Sequence, residues 1–148
     1  MRIRKVNLND SLDVFDWRND PTTRAMFVNP ELIEFGPHPK WLKDSIDNPN
    51  RLFLMAEVKN LKIGWIRFDI KGEIAETSIN IKPSERGKKF ASKGIAEGIN
   101  YLCRHQKKIQ ELTVKIKPEN IASKRSFSNA GFKYQSKEND LEVYSYFL

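Results

Sequence analysis

The chain has 148 residues, a length suited to one hydrophobic core, and its 39% apolar content, spread along the whole chain, excludes disorder as the main state. No apolar run approaches the ~18 residues of a membrane span and the N-terminus lacks the apolar stretch of a secretory signal, so a cytoplasmic protein with no membrane partner is expected. One cysteine, Cys103, and two histidines are too few for a structural zinc site, so no metal is expected, while 26 Lys and Arg against 19 Asp and Glu, net +7, point to an anionic partner.

Alternation over Ile3 to Leu8 predicts a strand, after which Asn9-Asp10-Ser11 offers side-chain oxygens to cap a helix. Leu12, Phe15 and Trp17 carry that helix to Asn19-Asp20-Pro21, and a short helical pattern follows from Thr22 to Phe27. Asn29-Pro30 and Phe35 to Pro39 mark an irregular segment, and Trp41, Leu42, Ser45 and Ile46 have helical spacing up to Asn48-Pro49. Arg51 to Val58 and Lys62 to Ile70 then read as a hairpin, and after a turn at Lys71-Gly72 a third strand runs from Glu73 to Ile81. The polar connection Glu85 to Lys89 leads into an amphipathic helix from Phe90 to His105, with Ile95, Ile99 and Leu102 on one face. Leu112 to Ile116 is a strand, Ala122 to Ala130 a helix ended by Gly131, and Phe132 to Tyr134 and Glu142 to Phe147 are closing strands. The order β-α-α-β-β-β-α-β-α-β-β predicts a mixed α/β (α+β) domain over residues 1–148, its sheet covered by helices on both faces.

The unit EIAETSINIKPSERGKKFASKGIAEG carries the first chemistry. A strand ending in a short glycine-bearing loop that opens a helix exposes unpaired N–H groups at the positive end of the helix dipole, and phosphate suits that site. Arg86, Lys88, Lys89 and Lys93 add charge, and small Ala91 and Ser92 leave room for a ligand to approach. An ordinary helix start with solvated lysines has the same pattern.

A second block, Pro118 to Phe132, follows the strand ELTVKI, and together the two blocks resemble the GNAT-type acyl-CoA N-acetyltransferases. Arg86 and Ala91 match the ends of that family's loop pattern, and Asn120, Ser123, Gly131 and Phe132 match its second block; Phe127 stands where the family often has tyrosine. Lys89 replaces the usual central glycine, which leads one to expect a backbone there open to a Cβ atom. The resemblance implies a mixed, mostly antiparallel sheet with splayed fourth and fifth strands and acetyl-CoA as co-substrate. Pantetheine would pair with backbone near Ile79 and Ile81, and the pyrophosphate would sit on the amides of Gly87, Lys88, Lys89, Phe90, Ala91 and Ser92. Arg86, Asn120, Ser123 and Phe127 complete the implied cofactor set. The three phosphates of coenzyme A also account for the basic charge, and no nucleic-acid partner is expected.

For the acceptor, Trp17-Arg18-Asn19, then Arg24, and the His38 to Trp41 spacing look like the amino-sugar-nucleotide acetyltransferases of nonulosonic acid pathways, with a similar arrangement in the ribosomal-protein branch. Indole faces stack on sugars and Arg grips diphosphate in a bidentate manner, so these residues are candidates for the acceptor site; a core position for Trp17 and Trp41 and a loop role for His38 fit the same pattern. The favoured acceptor is a nucleotide-linked amino sugar; a protein N-terminus or lysine, or a non-catalytic coenzyme A module, are alternatives, in a monomer or homodimer. In the family a strand glutamate often takes the proton of the amine, and Glu76, ten residues ahead of Arg86 and on the strand face opposite Ile79 and Ile81, is its counterpart, with His38 a second proton relay.

Overall fold

The computed structural model describes residues 1–29 and 31–148. Seven strands form one sheet: β1 (Arg2–Lys5), β2 (Arg51–Val58), β3 (Leu61–Lys71), β4 (Ile74–Ile81), β5 (Glu111–Ile116), β6 (Lys133–Glu138) and β7 (Leu141–Phe147). Five helices accompany them: α1 (Ser11–Asn19), α2 (Pro21–Met26), α3 (His38–Asp47), α4 (Phe90–His105) and α5 (Ile121–Asn129). The spatial order is β1-β2-β3-β4-β5-β7-β6, and only β4 and β5 pair in parallel, as a crossover through α4 requires. The mixed, mostly antiparallel α/β fold agrees with the expectation. The short helical pattern expected over Thr22 to Phe27 forms α2, so three helices precede β2 where the expected element order has two; Asp20 accepts a hydrogen bond from Thr23 N–H and restarts the helix at Pro21. Among the described residues no helix is long and apolar enough to cross a membrane.

Turn chemistry sets the hairpins. Lys59-Asn60 between β2 and β3, and Asn139-Asp140 between β6 and β7, all have positive φ, as two-residue hairpin turns require. Along β3, Ile66, Phe68 and Ile70 face the main core with α4 and α5, while Trp65 faces a second core with Val14, Trp17, Leu42, Phe53 and Met55. Helix α4 lies close on the first face because it presents Gly94 and Gly98 to Ile66; a Cβ on Gly98 would stand 3.1 Å from Ile66 Cδ1.

Asp10 does not cap α1 as its place in the sequence suggests. Its carboxylate is buried and takes both guanidinium nitrogens of Arg4 (2.8 and 2.9 Å), Lys62 Nζ (2.8 Å) and Asn7 N–H (2.9 Å). Leu12, expected on the packed face of α1, is exposed, and Val14 packs instead. Burial works to raise the Asp10 pKa, but the Arg4 and Lys62 hydrogen bonds outweigh it and hold it down to about 2, from an ordinary 3.8. A depressed acid adds stability that is complete above its unfolded pKa and lost as pH falls through the folded one. Asp10 therefore contributes on the order of 2 kcal/mol at neutral pH, lost as pH falls from about 4 to about 2. Asp10→Ala leaves Arg4 and Lys62 without their shared anion and should cost about 3–5 kcal/mol in urea unfolding at pH 7, a penalty that shrinks in acid; a loss below 1 kcal/mol would show the network to be dispensable.

Candidate active site

Pairing between β4 and β5 covers only Ile74↔Glu111, Ala75↔Leu112 and Glu76↔Thr113, although β4 runs on to Ile81 and β5 to Ile116. Beyond Glu76 the strands diverge. The alternation of β4 is set at both ends: Lys82 N–H donates to Ile63 O of β3 (2.8 Å), whereas Glu73 O accepts from Gln110 N–H on the β5 side (2.8 Å). The N–H and C=O groups of Ile79 and Ile81 therefore face the gap, on a free edge roughly 17 Å long from Glu76 to Ile81.

That edge leads into the turn from Arg86 to Lys89 and then α4. Gly87 has φ +76°, and Lys89, the N-cap of α4, has φ +65° and ψ +20°. The turn keeps a glycine-type conformation with a lysine in it, in place of the backbone open to a Cβ atom expected there, at a cost of about 1–2 kcal/mol. No side chain caps α4, so the amides at its start, Lys89, Phe90, Ala91 and Ser92, remain donors without an intrahelical partner. The Arg86 side chain is otherwise engaged: its guanidinium donates to Asp20 Oδ2 (3.1 Å) and to the Thr23 hydroxyl, tying the loop to the start of α2.

Other candidates from the second block separate. Asn120 Oδ1 accepts from Ser123 N–H (3.1 Å) and caps α5, the helix that follows β5. Phe127 lies inside the main core, edge-on to Phe132 at 5.0 Å, and is not a ligand-contacting residue: the seventh position of α5 points down onto the sheet.

On the other face, β4 presents Glu76, Ser78 and Asn80 beside Asp69, Arg67 and Trp65 of β3, their register partners. Glu76 is half-buried at the fork, where pairing with β5 ends. Arg51 Nε (2.5 Å) and Arg67 Nε (3.2 Å) share Asp69. Burial lowers the Arg67 pKa, and Asp69 and Glu76 oppose the shift.

Of the acceptor candidates, Trp17 is a core residue of the second cluster, buried against β2 and β3, because α1 turns that face inward. Asn19 clamps the chain at Ile33 through two 2.8 Å hydrogen bonds with its backbone. Trp41 is 41% exposed and packs edge-on against Phe53. Arg18 lies over the Phe27 ring (4.4 Å to the centroid) and donates to Asn29 O; Arg18 Nη1 and Arg24 Nε are buried with no acceptor among the described residues. Trp65, Arg67 and Asn80 escaped sequence reasoning, although an arginine inside the apolar run GWIRFDI was a signal that this strand face is lined with polar groups.

His38 is only 2% exposed, sandwiched among Phe15, Phe35 and Trp41, with Nε2–H donating to Ser11 O at 3.0 Å. Its proton is committed to that carbonyl, so the expected relay is replaced by a packing role. Burial lowers its pKa, against the opposing pull of Ser11 O. The folded state binds the His38 proton less readily than the unfolded chain, so this stability is complete above about pH 6.5 and is lost as pH falls below it. Between about pH 7.5 and 5, the urea midpoint of the wild type should fall more steeply than that of His38→Gln; parallel slopes would show that His38 is not held neutral by the fold.

Residues 1–133 match the acetyltransferase (GNAT) domain family. No curated protein matches the sequence. The fold is similar to that of a domain from Methanocaldococcus jannaschii DSM 2661 (21% identity, 99% of this chain and 97% of that one, TM-score 0.83). It is also similar to the ribosomal L7/L12 alpha-N-protein acetyltransferase RimL in complex with coenzyme A (13%, 99% and 93%, TM-score 0.85). A third similar structure is spermidine N-acetyltransferase from Vibrio cholerae in complex with coenzyme A and spermine (16%, 97% and 92%, TM-score 0.84). The chain belongs to the GNAT acetyltransferase family, and it is an acetyl-CoA-dependent N-acetyltransferase.

Proposed function

We propose that residues 1–148 act as one catalytic domain that acetylates the primary amine of a nucleotide-linked amino sugar. The observation that carries this reading is the free β4 edge running from the fork at Glu76 to the uncapped N-terminus of α4. Such a track suits an extended chain ending in phosphates. Ile79 and Ile81 offer backbone groups to pantetheine amides, the amides from Gly87 to Ser92 hold the pyrophosphate, and Lys88, Lys89 and Lys93 add charge at the mouth. Asn120 and Ser123 border the same gap.

Acetyl-CoA supplies the thioester, whose carbonyl carbon the amine attacks. Glu76, at the inner end of the track and on the acceptor face, takes the proton from the amine, directly or through water. Phe127 provides no hydroxyl, and a thiol of pKa near 8.5 leaves as a thiolate without a dedicated acid. Arginines on the acceptor face favour an acceptor that carries phosphate, which supports the sugar-nucleotide assignment; an acidic peptide amine is the alternative that the same charge admits.

A thiol-release assay with acetyl-CoA against amino-sugar nucleotides, polyamines and peptides tests the acceptor, and turnover confined to polyamines would overturn it. Glu76→Gln keeps shape and removes the base, so turnover should drop roughly 10²–10⁴-fold with acetyl-CoA affinity little changed; wild-type turnover would exclude Glu76. The positive φ of Gly87 cannot be adopted by proline, so calorimetry should show Gly87→Pro weakening acetyl-CoA binding far more than Lys88→Ala. Equal affinity in the two variants would remove the loop from the site.

A further inference from the structure

Four buried N–H donors on the acceptor side meet no acceptor among the described residues: Arg18 Nη1, Arg24 Nε, Trp65 Nε1 and Asn80 Nδ2. Trp65 and Asn80 are only 3% and 4% exposed and stand opposite one another on β3 and β4. Phe27 stacks on Trp65 (6.4 Å between centroids, 7° between planes), Arg18 lies over Phe27, and the Arg67 guanidinium is 5.8 Å from the Trp65 ring. One patch thus gathers these groups. Burial first, then the charges of Arg24 and Arg67, lower the pKa of Arg18, so the guanidiniums feel one another.

The chemistry of the patch is one-sided. Arg18 and Arg24 form no ion pair among the described residues, and Asp69 is already shared between Arg51 and Arg67. The four atoms named are donors, and Glu76, the carboxylate that β4 presents on this face, stands four residues along the strand from Asn80, opposite Asp69. Buried donors are ordinarily satisfied, and donors that find no internal acceptor await one from outside.

We propose that Arg18, Arg24, Arg67, Trp65 and Asn80 form a receptor for an oxyanion carried by the acceptor amine, phosphate or carboxylate, so that the enzyme selects its acceptor by negative charge. This rests on the acetyltransferase reading above and adds the group that the acceptor must carry besides its amine. Arg24 makes no side-chain hydrogen bond or ion pair among the described residues and is the specificity residue, whereas Arg67 also holds Asp69 in place.

The test is calorimetric titration of the full chain, saturated with coenzyme A, with inorganic pyrophosphate and separately with succinate. Wild type should bind at least one of them, and Arg24→Gln should weaken that binding about ten- to a hundred-fold, the range expected for a lost charged hydrogen bond. Loss confined to pyrophosphate assigns the site to phosphate, and loss confined to succinate assigns it to carboxylate. In steady-state assays Arg24→Gln should raise the acceptor KM with kcat and the acetyl-CoA KM unchanged, and Arg67→Lys should rescue more acceptor affinity than Arg67→Gln. No binding of either anion by the wild type, or equal binding by wild type and Arg24→Gln, overturns the receptor. If coenzyme A itself does not bind, the acetyltransferase reading fails, and the receptor is judged without it by comparing Arg24→Gln with Gly87→Pro: anion binding lost only in the former sustains it, and lost only in the latter overturns it.

Discussion

The divergence of β4 from β5 after three residue pairs is the constraint on which the rest of the molecule depends. Each strand has a stronger allegiance elsewhere, β4 to β3 through eight pairs and β5 to β7 through six. A sheet can twist but cannot keep both allegiances along a shared edge once the strands separate. The backbone of Ile79 and Ile81 is consequently left with hydrogen-bonding capacity inside a fold that otherwise pairs its strands. Such groups are costly to bury unpaired, which is why the gap is proposed as the receptor for an extended chain of amides.

Donor and acceptor sides are mechanically joined. Arg86, in the loop before α4, reaches across to Asp20 and Thr23 at the start of α2, the short helix that carries Arg24 and follows Arg18 of α1. Burial would raise the Asp20 pKa, and hydrogen bonds from Thr23 and Arg86 bring it down instead, so the contact persists as an ion pair at neutral pH. The loop proposed for the cofactor is therefore tied to the segment proposed for the acceptor. The positive φ of Lys89 belongs to the same set of constraints: a turn tight enough to deliver the α4 amides to the end of β4 outweighs the cost of a side chain in the left-handed region.

Burial divides the charged residues by role. Asp10 is surrounded by Arg4, Lys62 and a backbone N–H, so its charge is spent on joining β1, the start of α1 and β3. Arg18 and Arg24 are half-buried and form no ion pair among the described residues, which sets them apart from Asp10 and its partners. His38 shows the converse: a titratable ring placed among aromatic rings with its proton already donated is a packing residue, however suggestive its neighbours in sequence.

Local patterns in the sequence determined the strand alternation, the turn between β2 and β3 and the limits of β2 and α4, because each depends on residues close together in the chain; the extent of β6, expected to end at Tyr134, runs on to Glu138. The family motifs singled out Asn120 and Ser123 as cofactor residues, and the structure shows them joined as the cap of α5. What sequence could not assign was the inside or outside of Trp17, His38 and Phe127, since an aromatic residue reads alike in a core and in a binding site until its neighbours are known. Nor could it unite Arg18 and Arg24 with Trp65, Arg67 and Asn80. Those residues lie on α1, α2, β3 and β4, and only packing of the helices across the sheet face brings their unpartnered donors together, because which acceptors remain for a buried N–H is decided by the whole fold.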